Sequence, residues 1–426
     1  MKKRKIIGMA VVGILAIVLL AVLSVRQLRT KAFEKIAESR QLVTTVATKK
    51  DISQQLSVLE DYPEVAVAVA ALPEATDYDM FAIPGLYQAV SLNTETGKLA
   101  RCHEMTPQGV TVNDNYLFIS AYCHDHQHNS VIYQLDRKTK MLLKTIPVAG
   151  QPHLGGIWYD KADQQLFLAT EEDRRAAAST LSLATIQDYE LYSDPTPDPI
   201  KYTATTQLQN VRRTSFLTGL PPFLVVGYFD RGHRGTLAMY PIDDQGQISS
   251  LKETGGGTYE ISDEKTAQSK SATQGNATQG TATQEATTQE TTTQESHFQE
   301  AGATSDFRKD SDPQEAETAD TSGVVKKVQG VAYYQEYMLL SQSFGHHDSS
   351  LLLFDLQDTV GGFTEKSAKM KITFPPYLEQ IAVDGDRLLA VFESGAAAYR
   401  HKTSRQMEYV LQLDLKTLLK SVKQSK

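Results

Sequence analysis

His124-Asp125-His126-Gln127-His128 is the sharpest chemical signal in this 426-residue chain. On an extended segment alternate residues share a side, so His124, His126 and His128 are expected to point together. Imidazole and carboxylate suit zinc, copper or nickel, which makes the triplet the candidate site for a divalent metal, with His103 as a further ligand. A second reading stays open, because no standard zinc spacing is met: a polar loop whose histidines bond to backbone or water. The same loop could sense acid, since imidazole titrates near neutrality. Cys102 and Cys123 are the two cysteines of the chain. If neighbouring antiparallel strands bring them together they form a disulfide; otherwise they are two free thiols. Glu379 and Glu393 are the candidate carboxylate pair, either working on a ligand or bracing one structural unit.

Other chemistries find little support. No Gly-x-Ser-x-Gly elbow marks a nucleophile. Gly255-Gly256-Gly257 lacks the Lys and Ser or Thr of a phosphate loop. The net charge is −8 and no long basic stretch with interleaved aromatics occurs, which argues against nucleic acid as a partner. The sequence establishes no cofactor; a divalent metal is the one candidate.

The elements that must position these residues come from a repeat. Gln108-Gly109-Val110-Thr111-Val112 leads through Tyr116 to Ser120 and a His-rich loop to Ile132-Tyr133-Gln134-Leu135-Asp136. The pattern returns as Gln329-Gly330-Val331-Ala332-Tyr333, Tyr337 to Ser341, His346-His347-Asp348-Ser349 and Leu351 to Asp355. The second His loop reads as a turn-capping echo of the first. Three further units start near His153, Thr214 and Glu379. Spaced self-similarity of short strands is the signature of a radial β-repeat, in which each small sheet packs on the next. The hairpin Tyr87 to Arg101 is a candidate to complete the last unit.

Pro107-Gln108-Gly109-Val110 resembles the Pro-x-Gly-hydrophobic start of an inner strand in bacterial extracytoplasmic β-propellers of the SMP-30, NHL and YVTN-repeat kind. Ile132-Tyr133-Gln134-Leu135-Asp136 with its following turn resembles their third strand. The likeness covers roughly residues 86–415 apart from an insertion. It implies an all-β fold, a β-propeller of about five to seven blades. The Tyr-Val-Thr-Asn repeat itself is absent, and the metal ligands of the lactonase families find no match.

Residues 6–25 form an unbroken apolar run of the length that spans a bilayer, preceded by Lys2, Lys3, Arg4 and Lys5. The positive-inside bias makes residues 1–5 a cytoplasmic tail and puts the remainder outside. Residues 26–61 have the spacing of an amphipathic helix and read as a stalk. The propeller occupies 80–252 and 322–416. Between them, residues 253–321 are Thr, Gln, Ser, Ala and Glu with few large apolar side chains, an insertion expected to be disordered. Residues 417–426 read as a C-terminal tail.

In a propeller, inner-strand starts and the loops after second strands share one face. Gln108, His153, Thr214, Gln329 and Glu379 are therefore expected around one channel mouth, with Tyr122, His124 and Glu393 beside them. The expected role is recognition of a surface protein, peptide or glycan by a single-pass cell-membrane protein with its propeller outside, ligand contacts coming from Gln108, His153, Gln329, Glu379 and Glu393. The alternatives are a metal-assisted hydrolase or lactonase at the mouth, and a metal or pH sensor built on the His loop.

Overall fold

The computed structural model describes residues 49–73, 80–193, 196–209, 211–231, 236–248, 258–260, 325–357 and 363–424. The expected inner tail, membrane span and first part of the stalk lie outside them. Among the described residues no helix is long and apolar enough to cross a membrane.

The described chain opens with α1 (Lys49–Ser57), a 3-10 turn (Val58–Asp61) and α2 (Pro63–Ala70), followed by a hairpin of β1 (Ala89–Leu92) and β2 (Leu99–Cys102). Five antiparallel sheets then follow in sequence. Blade 1 is β3 (Met105–Val112), β4 (Tyr116–Cys123), β5 (Val131–Asp136) and β6 (Leu142–Pro147). Blade 2 is β7 (Ile157–Asp160), β8 (Gln165–Glu172), β9 (Arg175–Ser182) and β10 (Ala204–Gln207), with the short α3 (Leu183–Asp188) before its last strand. Blade 3 is β11 (Phe216–Leu220), β12 (Phe223–Tyr228), β13 (Thr236–Pro241) and β14 (Thr258–Glu260). Blade 4 is β15 (Val328–Tyr334), β16 (Tyr337–Gln342), β17 (Ser349–Asp355) and β18 (Met370–Phe374). Blade 5 has three strands, β19 (Leu378–Asp384), β20 (Arg387–Phe392) and β21 (Leu411–Asp414), and the chain continues into α4 (Leu415–Gln424).

The inner strands β3, β7, β11, β15 and β19 adjoin in that order, and β19 returns to β3. The ring therefore closes at five blades, the low end of the expected range. Each blade is covered on both faces by its neighbours, so middle strands read as continuous apolar runs. Leu117, Phe118, Ile119 and Ala121 of β4 are all fully buried. Tight turns cap the strands: Asn113 Oδ1 accepts from the amides of Asn115 (2.9 Å) and Tyr116 (2.7 Å) between β3 and β4.

Five inner strands leave a narrow axis, and one side chain fills it. Gln380 Oε1 accepts from the amides of Val110 (3.1 Å) and Ile157 (3.0 Å), in blades 1 and 2. Its Nε2 donates to the carbonyls of Ile157 (2.8 Å) and Leu217 (3.2 Å), in blades 2 and 3. Glycine is required where backbone meets this plug. A Cβ on Gly109 would lie 2.6 Å from Gln380 Oε1, and one on Gly330, in blade 4, 2.9 Å from Gln380 Cα. Beside the plug is a cavity of about 130 Å³ whose lining includes Thr111, Trp158, Tyr159, Thr218 and Tyr333.

Several expected boundaries shift. The hairpin β1–β2 does not complete the last blade; it lies on blade 1, where the Asn129 amide donates to the Leu92 carbonyl (2.8 Å) and Ser91 Oγ to that of Asn129 (2.8 Å). The last blade is met instead by residues 80–83: Ala82 bridges Tyr409, the Ile83 amide donates to Glu408 O and the Val410 amide to Phe81 O, both 2.9 Å. Residues 49–61, within the expected stalk, dock on the propeller through buried Ile52 and Leu59. Residues 417–424 continue an α-helix, because Leu415 and Leu418 have α2 and β21 to pack on. Thr258–Glu260, within the expected insertion, supply the outer strand of blade 3, with Tyr259 opposite Leu237. The rest of that insertion lies outside the described residues.

Replacing Gln380 with Leu strands four buried backbone groups. At about 1 kcal/mol or more for each, the loss is expected at about 3–6 kcal/mol, read as a shifted urea midpoint at unchanged slope. A loss near zero would mean that the strands close without the axial amide.

Candidate functional site

Three inner strands carry a β-bulge at the same level, between Pro107 and Gly109 in β3, Val328 and Gly330 in β15, and Leu378 and Ile381 in β19. A bulge inserts an extra residue and re-aims side chains. Gln108, Gln329 and Glu379 sit at these positions, which brings together expectations taken from separate parts of the sequence.

Gln108 and Glu379 are buried and Glu393, just past β20, is nearly so. Gln108 Nε2 donates to a Glu393 carboxyl oxygen (3.0 Å). Burial, then the charge of Glu393, pushes the Glu379 carboxyl well above its ordinary range. Burial pushes Glu393 up to about 8, against the opposing pull of Gln108 and Lys402. At neutral pH the pair therefore presents a protonated carboxyl, a donor, beside a second group poised to donate or accept.

Aromatic rings surround it. The ring of Tyr122, at the end of β4, lies against that of His153, centres 4.1 Å apart and planes tilted by 36°, and its hydroxyl bonds His124 Nδ1 (2.9 Å). Burial and the charge of Glu393 raise the Tyr122 phenol above its ordinary value, and Tyr399 likewise. Tyr399 packs on Tyr377 (5.0 Å) and His124 (5.5 Å), with the Lys402 ammonium 5.0 Å from its ring centre. His153 keeps a solvent-facing side, yet loss of solvation and the nearby His126 and His124 lower its pKa. Desolvation lowers that of His124 as well. Buried Thr214 Oγ1, at the start of the blade 3 inner strand, has no hydrogen-bond partner among the described residues. Gln329 is half-buried and enters none of the mouth's hydrogen bonds among the described residues.

Sequence reasoning missed Tyr377, Tyr399 and Lys402. Residues 396–400, with three alanines and a tyrosine, have the look of a strand but form successive turns, with Tyr399 N and Arg400 N donating to Ala396 O and Lys402 N to Tyr399 O. Those turns bring Tyr399 beside His124 and Tyr122. The sequence signal was present only as Gly395 and the polar run of residues 400–406.

The expected metal triplet does not assemble. The segment is a turn, with His126 N donating to Cys123 O (3.0 Å) and His126 in the left-handed region (φ 55°), so alternate residues do not share a side. His124 and His126 face Tyr122 at the mouth, with ring centres 5.9 and 6.3 Å away. His128 is buried beside the cysteines instead, its Nδ1 3.4 Å from Cys123 Sγ. His103 Nδ1 is engaged instead with the Tyr87 carbonyl oxygen, 3.0 Å away. Of the two states open for the cysteines the structure has the free thiols, Sγ atoms 3.3 Å apart. In the echo loop His346 and His347 are exposed, while Asp348 accepts from Tyr62 Oη (2.7 Å) and Arg405 (3.0 Å), which fits a structural role.

No protein-family model matches the chain, and no curated protein matches it. Among solved structures it is similar to the RRP9 WD40 repeats (10% identity, 77% of this chain and 99% of that one, TM-score 0.35). It is also similar to the Cps50 (Swd1) β-propeller domain of Myceliophteria thermophila (9%, 70% and 65%, 0.30) and to Kuenenia stuttgartiensis hydrazine synthase (9%, 77% and 80%, 0.32). At these values the likenesses carry no functional argument.

The raised carboxyls fix the sign of a pH effect. A carboxyl whose folded pKa exceeds its unfolded value stabilises the fold fully below about pH 4.5, and that contribution is lost as pH rises through about 8. Glu393→Gln is therefore expected to gain stability relative to the parent across that window and to show no gain near pH 4. Urea midpoints of the two proteins at stepped pH measure it; a constant difference would show that Glu393 ionises normally.

Proposed function

We propose that this chain is a membrane-anchored recognition module whose propeller lies outside a bacterial cell and takes the polar part of a surface protein, peptide or glycan into the Glu379–Glu393 mouth. The observation that carries the binding reading is the buried carboxyl pair. Two buried carboxyls, one within the electrostatic reach of the other, cost stability, and such groups gather where a ligand or reaction uses them. Gln108 adds an oriented amide, and Tyr122, Tyr399 and His153 add flat faces of the kind that sugar rings and peptide planes stack on. The anchor and the outside location rest on the apolar run of residues 6–25 and the lysines before it. The bacterial extracytoplasmic assignment, of the SMP-30, NHL and YVTN-repeat kind, rests on Pro107 to Val110 and Ile132 to Asp136.

One observation favours a second reading. A raised carboxyl beside a second carboxyl is also the arrangement of an acid–base pair, and Glu379 and Glu393 would serve a hydrolase as acid and base. The metal-assisted form of that reading loses its ligands, because His128 stands apart from His124 and His126.

The test is capture by the full-length chain in detergent on arrays of surface glycans and peptides. Binding of one class is expected to weaken at least about tenfold in Gln108→Leu and Glu393→Gln, an effect of about 1.4 kcal/mol or more. Thr218→Val, which alters the cavity at the other end of the axis, is expected to leave it unchanged. Capture indifferent to both mouth substitutions overturns the site. Turnover of the captured ligand, lost in Glu379→Gln, replaces binding by catalysis.

A further inference from the structure

We propose that Cys102, Cys123 and His128, with Asp125 supplying an oxygen, form a zinc site that fastens the hairpin β1–β2 to blade 1. The three donor atoms of Cys102, Cys123 and His128 lie within 4.8 Å of one another, and all three residues are buried. No other such group converges among the described residues.

The distances fit a tetrahedral ion. Zinc–sulfur bonds of about 2.3 Å and zinc–nitrogen bonds of about 2.0 Å put neighbouring ligand atoms roughly 3.5–3.8 Å apart. The observed separations are 3.3 Å between the sulfurs and 3.4 Å from Cys123 Sγ to His128 Nδ1. For these two pairs, movements of a few tenths of an ångström admit the metal, and the Cys102–His128 pair lies within the same 4.8 Å. Asp125 Oδ1 is 2.7 Å from Cys123 Sγ, closer than two ligands of one ion sit; its exposed side chain becomes the fourth ligand by swinging back roughly 0.8 Å. Two thiolates with one imidazole select zinc over harder cations.

The backbone already holds this geometry. Cys102 ends β2 and Cys123 ends β4. The turn through His126 brings the chain back, and an isolated bridge between Asn93 and His128 fixes His128 beneath the hairpin. The Thr94 amide donating to Gln127 O (3.0 Å) ties the same loop to the hairpin turn. The ligands come from two stretches of chain, Cys102 on the hairpin and residues 123–128 after β4, so metal bound among them crosslinks the hairpin to the blade.

The experiment uses full-length, untagged protein purified in detergent with reductant and without chelator. Elemental analysis is expected to give about one zinc per chain. Cobalt exchanged into the site is expected to show thiolate charge-transfer absorption and the intense visible bands of a tetrahedral ion. Both are expected to be lost in Cys123→Ser and in His128→Ala, and kept in a His124→Ala, His126→Ala double variant. A readout on the parent protein guards against misfolded variants: thiol alkylation is expected to be slow with zinc and fast after chelation. Three results would overturn the proposal. They are reduced protein that takes up no zinc, zinc retained by Cys123→Ser, and alkylation rates indifferent to chelator. A pair of thiols found oxidised, and taking up no zinc once reduced, would mark the cluster as a disulfide pair instead.

Discussion

The amide of Gln380 is the interaction on which the ring depends. A glutamine amide offers two acceptor positions and two donor hydrogens, and here all four meet backbone groups of blades 1, 2 and 3. The same residue belongs to blade 5, and its backbone abuts Gly330 of blade 4, so side chain and backbone of one residue together meet every blade. Neither common substitute works. Leucine has the bulk without the bonds. Glutamate would turn an acceptor toward the carbonyls of Ile157 and Leu217. Because the axis is closed by backbone contacts, the inner strands need glycine at Gly109 and Gly330, and a ligand has access only to the space on either side of the plug.

The bulge that delivers Gln380 to the axis also sets the mouth. In a regular strand the neighbours of an axial residue would point away from it. The irregular register between Leu378 and Ile381 holds Glu379 and Gln380 together, so the plug and the first member of the carboxyl pair come from consecutive residues. Ser341 Oγ, in the neighbouring blade, donates to the Glu379 carbonyl (2.7 Å) and pins that irregular stretch. The N-terminal segment matters in a comparable way. Residues 80–83 bond the last blade, and Arg405 of that blade reaches both Asp61 and Asp348 at 3.0 Å. The chain from Lys49 onward is therefore part of the fold and not only a tether to it.

The blades were legible because buried strands with polar turns repeat a pattern that any reader of hydrophobic spacing finds. The mouth was legible in part for a topological reason: once Gln108, Gln329 and Glu379 are inner-strand starts, geometry puts them on one face. Gln380 was invisible, since a glutamine next to a glutamate in a strand gives no hint that a bulge will send it to the axis. The histidine triplet failed because alternation holds only for extended chain, and Cys123 to His128 turns back on itself. Tyr399 failed for the opposite reason, an apolar-looking run that folds as turns. The hairpin β1–β2 was placed on the wrong blade because its partners, Asn129 and His128, lie in a loop with no strand signal.

Tyr122 and Cys123 are consecutive residues at the end of β4, and consecutive residues of a strand face opposite ways. Tyr122 turns to the mouth, where it holds His124 and His153; Cys123 turns to the hairpin, where it meets Cys102 and His128. The mouth and the thiol cluster are thus the two sides of one strand end and share one loop. His124 and His126 belong to the mouth side of that loop, Asp125 and His128 to the other. Fixing the cluster side removes conformations available to the loop, and with them the freedom of His124 and Tyr122. A ligand that needs those rings ordered then pays less of the ordering cost itself, which is coupling through restricted motion rather than through a change of shape. A single peptide bond separates the two sides.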